Sequence, residues 1–221
     1  MVIRQRAIQA GEKEERHHAI VDAAELLLLR SPDRVASVAE VADEAGLAKG
    51  TVYLYFPGKE ELLLAVHERY LDRFFGALNA LLERSRPTTF DDLVAVTAEH
   101  IVRPPLFLPL AARCFALMAQ SIPPPAAAAF RERMATRLER AGGGLERHFV
   151  RLRPGEGVAK LRHSFALIIG LWQMSAASAC ALSPTTATGS PVFAWDYPDE
   201  LARALGGLWQ TVVDAPSAAA A

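Results

Sequence analysis

Cysteine and clusters of metal-binding side chains are scarce in this 221-residue chain. The two cysteines, Cys114 and Cys180, lie in separate apolar runs, so two buried thiols are a simpler interpretation than a disulfide. Cysteines that remain as free thiols are typical of a reducing compartment, and we expect a cytoplasmic protein. Histidine and cysteine do not occur together at metal-ligand spacing. We therefore expect neither a metal site nor a cofactor.

A recognisable catalytic set is also missing from the sequence. The six histidines are scattered, and no Ser/His/Asp, Cys/His or paired-carboxylate combination stands out. A glycine-rich phosphate loop would follow a strand, but Gly142-Gly143-Gly144 lies between helical stretches. We interpret these glycines as a hinge or kink. An enzyme, or a small-molecule carrier, is accordingly the alternative and not the leading interpretation.

Net charge is close to zero, at −1, with 51% hydrophobic and 22% charged residues. This composition is enough for a sizeable core and too apolar for a disordered chain. It argues against a partner held by overall charge alone. Residues 1–60 carry 8 Lys/Arg against 10 Asp/Glu, a net of −2. Any affinity for a polyanion must come from a local basic patch, for which Arg4, Arg6, Lys49 and Lys59 are the candidates.

One uncharged stretch is long enough to need a membrane test. Residues 164–182 contain no charge, close to the ~20 residues that span a bilayer. They include Gln173, several serines and several alanines, which also serve close helix packing in a globular protein. Charged residues 12–16 stand where a secretory signal would need its apolar segment. We expect no membrane partner, with a membrane-associated helical protein as the alternative.

Apolar residues recur at helical spacing along the chain, and the sequence contains no convincing alternating strand. The pattern predicts an all-α fold of about nine helices, after a loose arm of about eleven residues. A first helix is expected around 19–28, and Pro or Gly breakers separate those that follow. The helices after the first are predicted to cover residues 37–45, 48–56, 59–85, 91–102, 106–121, 126–151, 157–182 and 198–214. We predict a domain of residues 1–60 and a second of residues 61–221, which share the long helix from residue 59.

The most informative segment is SVAEVADEAGLAKGTVYLYFPGK, residues 37–59. Ser37 and Glu40 have the spacing of a capping box, which starts a short helix. Gly46 can adopt the left-handed conformation that ends a helix tightly. A second short helix begins within three residues, and its exposed side mixes a cation, hydroxyls and small groups. Two short helices joined by a tight glycine turn form a helix-turn-helix, which typically reads DNA.

Residues AGLAKGTVYLYFPGKEELL resemble the helix-turn-helix of the tetracycline-repressor (TetR) family. The resemblance implies that Thr51, Tyr53, Tyr55 and Lys59 contact phosphates. It also implies that Ala48, Lys49, Gly50 and Leu54 face bases, and that Ser37 caps the first motif helix against the DNA backbone. A TetR-family protein is expected to be a transcriptional regulator, more often a repressor. It would bind a palindromic double-stranded operator as a homodimer and respond to a small-molecule effector.

Three positions depart from the family pattern. Pro32 stands where the family commonly has glycine, so the turn before Ser37 can differ. Ala36 replaces a frequent threonine, which removes one possible phosphate contact. Ala39 cannot read a base by hydrogen bonding.

The C-terminal part is more apolar than a short helical bundle requires. We predict that an effector pocket for an apolar or aromatic molecule forms there. The alternative is that these side chains are ordinary core. The candidate lining residues are Phe107, Phe115, Met118, Phe130, Met134, Phe165, Ile169, Trp172 and Met174.

The last two predicted helices are the candidates for the dimer interface. Leu201, Leu205, Leu208 and Val212 form one apolar stripe, with Gly206-Gly207 allowing close approach of another helix. The preceding helix presents a similar stripe, made of Phe165, Ile168, Trp172, Ser175 and Ala179. The alternative is that both stripes are buried within one subunit.

Overall fold

The computed structural model of the chain describes residues 2–32, 34–175 and 195–213. In these ranges all regular structure is helical, in nine α-helices, so the expected all-α fold is confirmed. The fifth helix continues into a turn of π-helix, Ala98–Val102. The helices are α1 (Val2–Arg30), α2 (Val38–Glu44), α3 (Lys49–Tyr55), α4 (Lys59–Leu82), α5 (Phe90–Thr97), α6 (Phe107–Gln120), α7 (Pro124–His148), α8 (Glu156–Met174) and α9 (Tyr197–Val213).

The first three helices pack around a small core that α4 completes. Ile20 of α1, Val41 of α2 and Val52 of α3 are fully buried, together with Val66 of α4. Short helices such as α2 and α3 are marginal alone, so their stability comes from burying these apolar faces. The N-terminal unit therefore holds α3 in a fixed position relative to α4.

The expected loose N-terminal arm is wrong, because α1 already begins at Val2. The first ten residues include neither proline nor glycine, and most of them are compatible with a helix. Gly11 lies inside the helix and does not end it.

The long helix α4 connects the N-terminal unit with the rest of the chain. It runs unbroken through 24 residues, which confirms the predicted long helix from residue 59. Arg69 of α4 forms ion pairs with Asp22 and Glu25 of α1. The adjacent residue of α4, Glu68, accepts hydrogen bonds from Arg133 of α7, at 2.7 Å to each carboxylate oxygen. The same helix is thus held from both sides.

The predicted hinge at Gly142-Gly143-Gly144 is wrong, since all three glycines lie inside the continuous helix α7. A Cβ on Gly142 would lie 2.7 Å from the backbone nitrogen of Val158, and one on Gly157 would lie 2.2 Å from the Gly142 oxygen. The absence of side chains lets α7 and α8 cross at backbone contact. Gly142 and Gly157 therefore serve packing and not bending.

The last two helices differ from expectation in extent and in what they bury. Helix α8 ends at Met174 and Ser175 is extended, so the helix predicted to reach residue 182 is shorter. Residue 179 of the predicted stripe and Cys180 lie outside the described residues. Cys114 is a buried thiol, and burial raises its pKa to about 12. Leu201, Leu205 and Val212 are buried inside the chain. That part of the predicted dimer stripe is therefore intramolecular core.

Among the described residues, no single helix has the length and apolar character to cross a membrane. The segments Phe90–Val102 and Phe107–Met118 reach that length and composition only together, as a pair bent by 74°.

Candidate nucleic-acid interface and effector cavity

Helix α2 begins with the capping box that the sequence predicts. The Ser37 backbone N–H donates to Glu40 Oε2 at 2.8 Å, and the Glu40 backbone N–H donates to Ser37 Oγ at 3.3 Å. Arg34 donates to the same carboxylate at 3.0 Å. The bonds from Arg34 and Ser37 lower the pKa of Glu40 to about 2, so the cap stays ionised. The prediction of this cap is confirmed.

The turn between α2 and α3 is a Schellman motif. Gly46 has φ +65°, the left-handed conformation expected for it. Its N–H donates to the Asp43 carbonyl at 3.2 Å, and the Leu47 N–H donates to the Ala42 carbonyl at 2.9 Å. Leu47 then packs against the core. These bonds satisfy two carbonyl groups at the end of α2, and α3 begins three residues after Gly46.

The inner side of α3 fixes its rotation about its own axis. Val52 and Phe56 are buried, and Tyr55 is half-buried. The Phe56 ring lies 5.0 Å from the ring of His17 on α1. Partial burial, then His18 and Arg69, lower the pKa of His17, which favours the neutral imidazole beside the phenylalanine. With this side anchored, the opposite side of α3 must face outward.

The outer side of α3 presents several of the residues that the family resemblance assigns to DNA. Leu54 is 85% exposed and Tyr53 is 44% exposed. The Lys49 ammonium lies 5.8 Å from the centroid of the Tyr53 ring, within the range of a cation–π contact. Ala48, Lys49, Gly50 and Lys59 are exposed as well, whereas Thr51 is half-buried. Ser37 is exposed, but its side chain caps α2.

One contact to this unit was not foreseen from the sequence. Arg113 of α6 donates to the Pro32 carbonyl at 3.0 Å, in the turn between α1 and α2. The two residues are 81 positions apart, and nothing in the local pattern around either one indicates the contact. It ties α6 to the helix-turn-helix unit independently of α4.

A cavity of ≈ 40 Å³ lies between α4, α5, α7, α8 and α9. Its wall is apolar apart from two hydroxyls and the indole N–H of Trp209. The Trp209 indole N–H donates to Ser164 Oγ at 3.1 Å, and Thr97 Oγ1 donates to the Leu93 carbonyl of its own helix at 2.8 Å. No charged side chain lines this cavity. The lining residues are Phe74, Leu78, Phe90, Leu93, Val94, Thr97, Leu145, Leu161, Ser164, Phe165, Ile168, Leu205 and Trp209.

Phe165 is the one predicted pocket residue that lines this cavity. Phe107 and Trp172 are buried core residues, and Phe107 packs edge-on against the ring of His67 at 5.4 Å. Phe115 is 65% exposed and Met174 is 56% exposed, so neither faces an interior space. The remaining four predicted residues are half-buried, namely Met118, Phe130, Met134 and Ile169.

Trp209 and Phe74 line the cavity but were not predicted from the sequence. Trp209 follows Leu205 by one helical turn, so the stripe on α9 could have included it. Phe74 lies on a helix that is apolar on most sides, and periodicity does not distinguish its cavity-facing residues from its core residues.

The fold and the exposed second helix of its motif define a helix-turn-helix protein with a helical C-terminal domain. A family model described as "Bacterial regulatory proteins, tetR family" matches residues 20–66. A second, "Tetracyclin repressor-like, C-terminal domain", matches residues 68–212. The chain therefore belongs to the TetR family, whose members are transcriptional regulators and not enzymes.

Curated relatives match only the N-terminal part. The chain is 35% identical over 83 residues to the HTH-type transcriptional repressor LfrR of Mycolicibacterium smegmatis, 38% of this chain and 41% of that protein. It is 27% identical over 89 residues to the fatty acid metabolism regulator protein of Bacillus subtilis, 40% of this chain and 45% of that protein. The matches span less than half the length of these relatives.

Solved structures share the whole fold at low sequence identity. SmeT, the repressor of the Stenotrophomonas maltophilia multidrug efflux pump SmeDEF, aligns with a TM-score of 0.55 and 22% identity, over 90% of this chain and 91% of that chain. A transcriptional regulator from Rhodococcus sp. RHA1 aligns with a TM-score of 0.58 and 22% identity, over 90% and 99%. A SmeT–triclosan complex aligns with a TM-score of 0.53 and 21% identity, over 91% and 93%.

Proposed function

We propose that this TetR-family regulator is a cytoplasmic, ligand-responsive repressor that binds a palindromic operator as a homodimer. Residues 1–60 would bind DNA, and residues 61–221 would hold the effector and the partner subunit. The outer side of α3 carries the proposal, because Lys49, Tyr53 and Leu54 are exposed together on the second helix of the motif. Cations and hydroxyls of this kind reach phosphate oxygens and base edges in a major groove.

The residues proposed for DNA contact divide into two groups. Thr51, Tyr53 and Tyr55 offer hydroxyls to phosphates, and Lys59 offers an ammonium at the start of α4. Ala48, Lys49, Gly50 and Leu54 would face the bases. Ser37 Oγ already accepts a hydrogen bond from the Glu40 N–H. Ser37 would therefore contact the DNA backbone through its main-chain atoms or through the solvent-facing side of the capping box.

A dimer is supported by the outward faces of α8 and α9. Gly170, Gly206 and Gly207 have open space where a Cβ would stand. Glycine costs ~1 kcal/mol relative to alanine inside a helix, so a flat surface for another helix is a physical reason to retain it. Two subunits joined there would present two α3 helices to half-sites about one DNA turn, ~34 Å, apart.

Effector binding is supported by the cavity beneath α4. Its ≈ 40 Å³ is far below the ~300–1,000 Å³ typical of small-molecule sites, so a ligand must widen it. Phe74 and Leu78 of α4 form part of the wall that would move. Because α4 begins at Lys59 beside α3, widening the cavity would change the position of the DNA-binding unit. A ligand that prefers the widened state would then weaken operator binding.

DNA binding is tested by selecting bound sequences from a random duplex pool with the full-length protein. We expect enrichment of a two-fold symmetric sequence, whose affinity falls steeply with added salt. Failure to enrich any sequence, with binding that is equal for all duplexes, would contradict the assignment of an operator.

Effector binding is tested with triclosan, the compound in the SmeT complex, and with benzoate as a charged comparison. The uncharged lining predicts that triclosan changes the emission of Trp209 and releases the selected duplex, whereas benzoate does neither. Trp209→Phe should remove the emission change and keep DNA binding. Trp172→Phe is the matched control, because Trp172 is buried outside the cavity lining. An emission change that persists in Trp209→Phe but not in Trp172→Phe would place the site elsewhere.

A further inference from the structure

Leu54 has an unusual position for a large apolar side chain. It is 85% exposed, whereas Val52 on the same short helix is fully buried and Phe56, directly after the helix, is 5% exposed. Single exposed leucines are common on protein surfaces, so exposure alone carries no argument. Leu54 is distinguished by its location, on the outer side of the motif's second helix together with Tyr53 and Lys49.

The neighbouring residues leave Leu54 free to approach a flat surface. Gly50 lies one helical turn before Leu54, and a Cβ built there would meet no atom within 4 Å. Side chains on a helix point back over the preceding turn, so Leu54 projects towards this open space. Lys49, by contrast, lies 5.8 Å from the Tyr53 ring centroid, on the adjacent row of the helix. The row of Gly50 and Leu54 is thus apolar and uncrowded.

The chemistry of a leucine restricts what it can recognise in a major groove. Base edges there present hydrogen-bond donors and acceptors, which an aliphatic side chain cannot pair. The exception is thymine, whose C5-methyl group is apolar and projects into the groove. A leucine placed against any other base would cover polar groups without pairing them, which is unfavourable.

We propose that Leu54 is a specificity-determining residue that selects thymine by packing against its C5-methyl group. The inference rests on the proposed function and deepens it, since it states one feature of the operator. Each half-site then contains a thymine whose methyl group contributes to binding by this chain.

Replacement of thymine by deoxyuridine removes only the methyl group, and so tests the contact directly. In a duplex selected with the full-length protein, each thymine is replaced in turn and the Kd is measured by fluorescence anisotropy at fixed salt. The parent protein should bind about fourfold more weakly when the critical thymine is replaced, as burial of one methyl-sized group implies. Other thymines that face away from α3 should show no such loss.

Variants assign the effect to Leu54. Leu54→Ala should bind the thymine duplex more weakly and bind the thymine and deoxyuridine duplexes equally. Leu54→Met keeps an apolar side chain of similar length and should retain the fourfold preference. Val150→Ala is the matched control, because Val150 is 91% exposed beyond the end of α7. It should behave as the parent.

The outcomes separate the two proposals. If no thymine shows a methyl dependence that Leu54→Ala removes, Leu54 does not select thymine, although the operator stands. If Leu54→Ala binds every duplex as tightly as the parent, Leu54 contacts no base and the inference is likewise overturned. If no duplex is enriched at all, it is the proposed DNA-binding function that fails.

Discussion

On α3, burial assigns different roles to three neighbouring aromatic residues. Phe56 is 5% exposed and packs on His17, so it anchors the helix. Tyr55 is half-buried, and its ring lies 6.5 Å from His17. Tyr53 is 44% exposed and packs under Lys49. Removal of the Tyr53 hydroxyl should therefore affect binding and not folding.

Tyr53→Phe and Lys59→Ala should each weaken operator binding with little change in Tm. Loss of a hydrogen bond to a charged phosphate predicts roughly a tenfold weaker Kd for Tyr53→Phe. Lys59→Ala should also reduce the slope of log K against log salt by about one unit. Arg131→Ala is the control, because it removes an exposed cation from α7 and should leave the slope unchanged. Parental affinity in both variants would show that this side of α3 does not face DNA.

Among the elements, α7 and α8 cross so closely that side chains are excluded at two points. The closest approach joins a Cβ position on Gly157 to the Gly142 oxygen, at 2.2 Å. Gly143 lies between them in sequence but has open space around its Cβ position. The crossing supports the cavity, since Leu145 and Leu161 from these same helices line it.

The glycines at this crossing should respond in opposite directions to alanine. Gly157→Ala should lower the free energy of unfolding by about 1–3 kcal/mol, because the added methyl group overlaps the α7 backbone. Gly143→Ala should raise it by up to ~1 kcal/mol, since alanine costs less in a helix and meets no neighbour. Denaturant unfolding measures both. Destabilisation by Gly143→Ala as large as that by Gly157→Ala would mean that the glycines provide flexibility and not contact.

At the scale of the whole molecule, ion pairs connect α4 both to α1 in the N-terminal unit and to α7 in the C-terminal part. Arg69 and Arg73 bind Glu25 of α1, while Arg137 of α7 bridges Glu68 and Asp72. Exposed ion pairs stabilise little, but this set includes half-buried partners in two networks. If the cavity widens and α4 moves, these ion pairs would therefore make α1 move with α4.

Substitutions on the two sides of α9 should have different effects if the exposed side forms the dimer interface. Gly207→Arg should give a folded monomer, because the new side chain projects from the exposed face into the proposed interface. Leu205→Glu should instead lower Tm strongly, since Leu205 is 5% exposed and faces the cavity. Light scattering gives the mass and circular dichroism the fold. A dimer of unchanged mass in Gly207→Arg would place the interface on another surface.

Local sequence determined the helix-turn-helix almost completely. Ser37, Glu40 and Gly46 specify a start and an end through hydrogen bonds within a few residues, so their effect can be read without the rest of the chain. The same holds for the helical character of most later segments, because periodicity and proline breakers are local signals. The family resemblance also rests on this contiguous stretch.

Only the tertiary structure decided what each apolar surface packs against. The stripe of Leu201, Leu205 and Val212 is equally suited to a partner subunit and to its own core, and the fold places it in the core. The packing role of Gly142 and Gly157 is visible only where α7 and α8 cross. Phe107 and Phe115, on one helix, are 0% and 65% exposed. The physical reason is that hydrophobic burial has no direction of its own, so the partner of an apolar side chain depends on how the helices assemble.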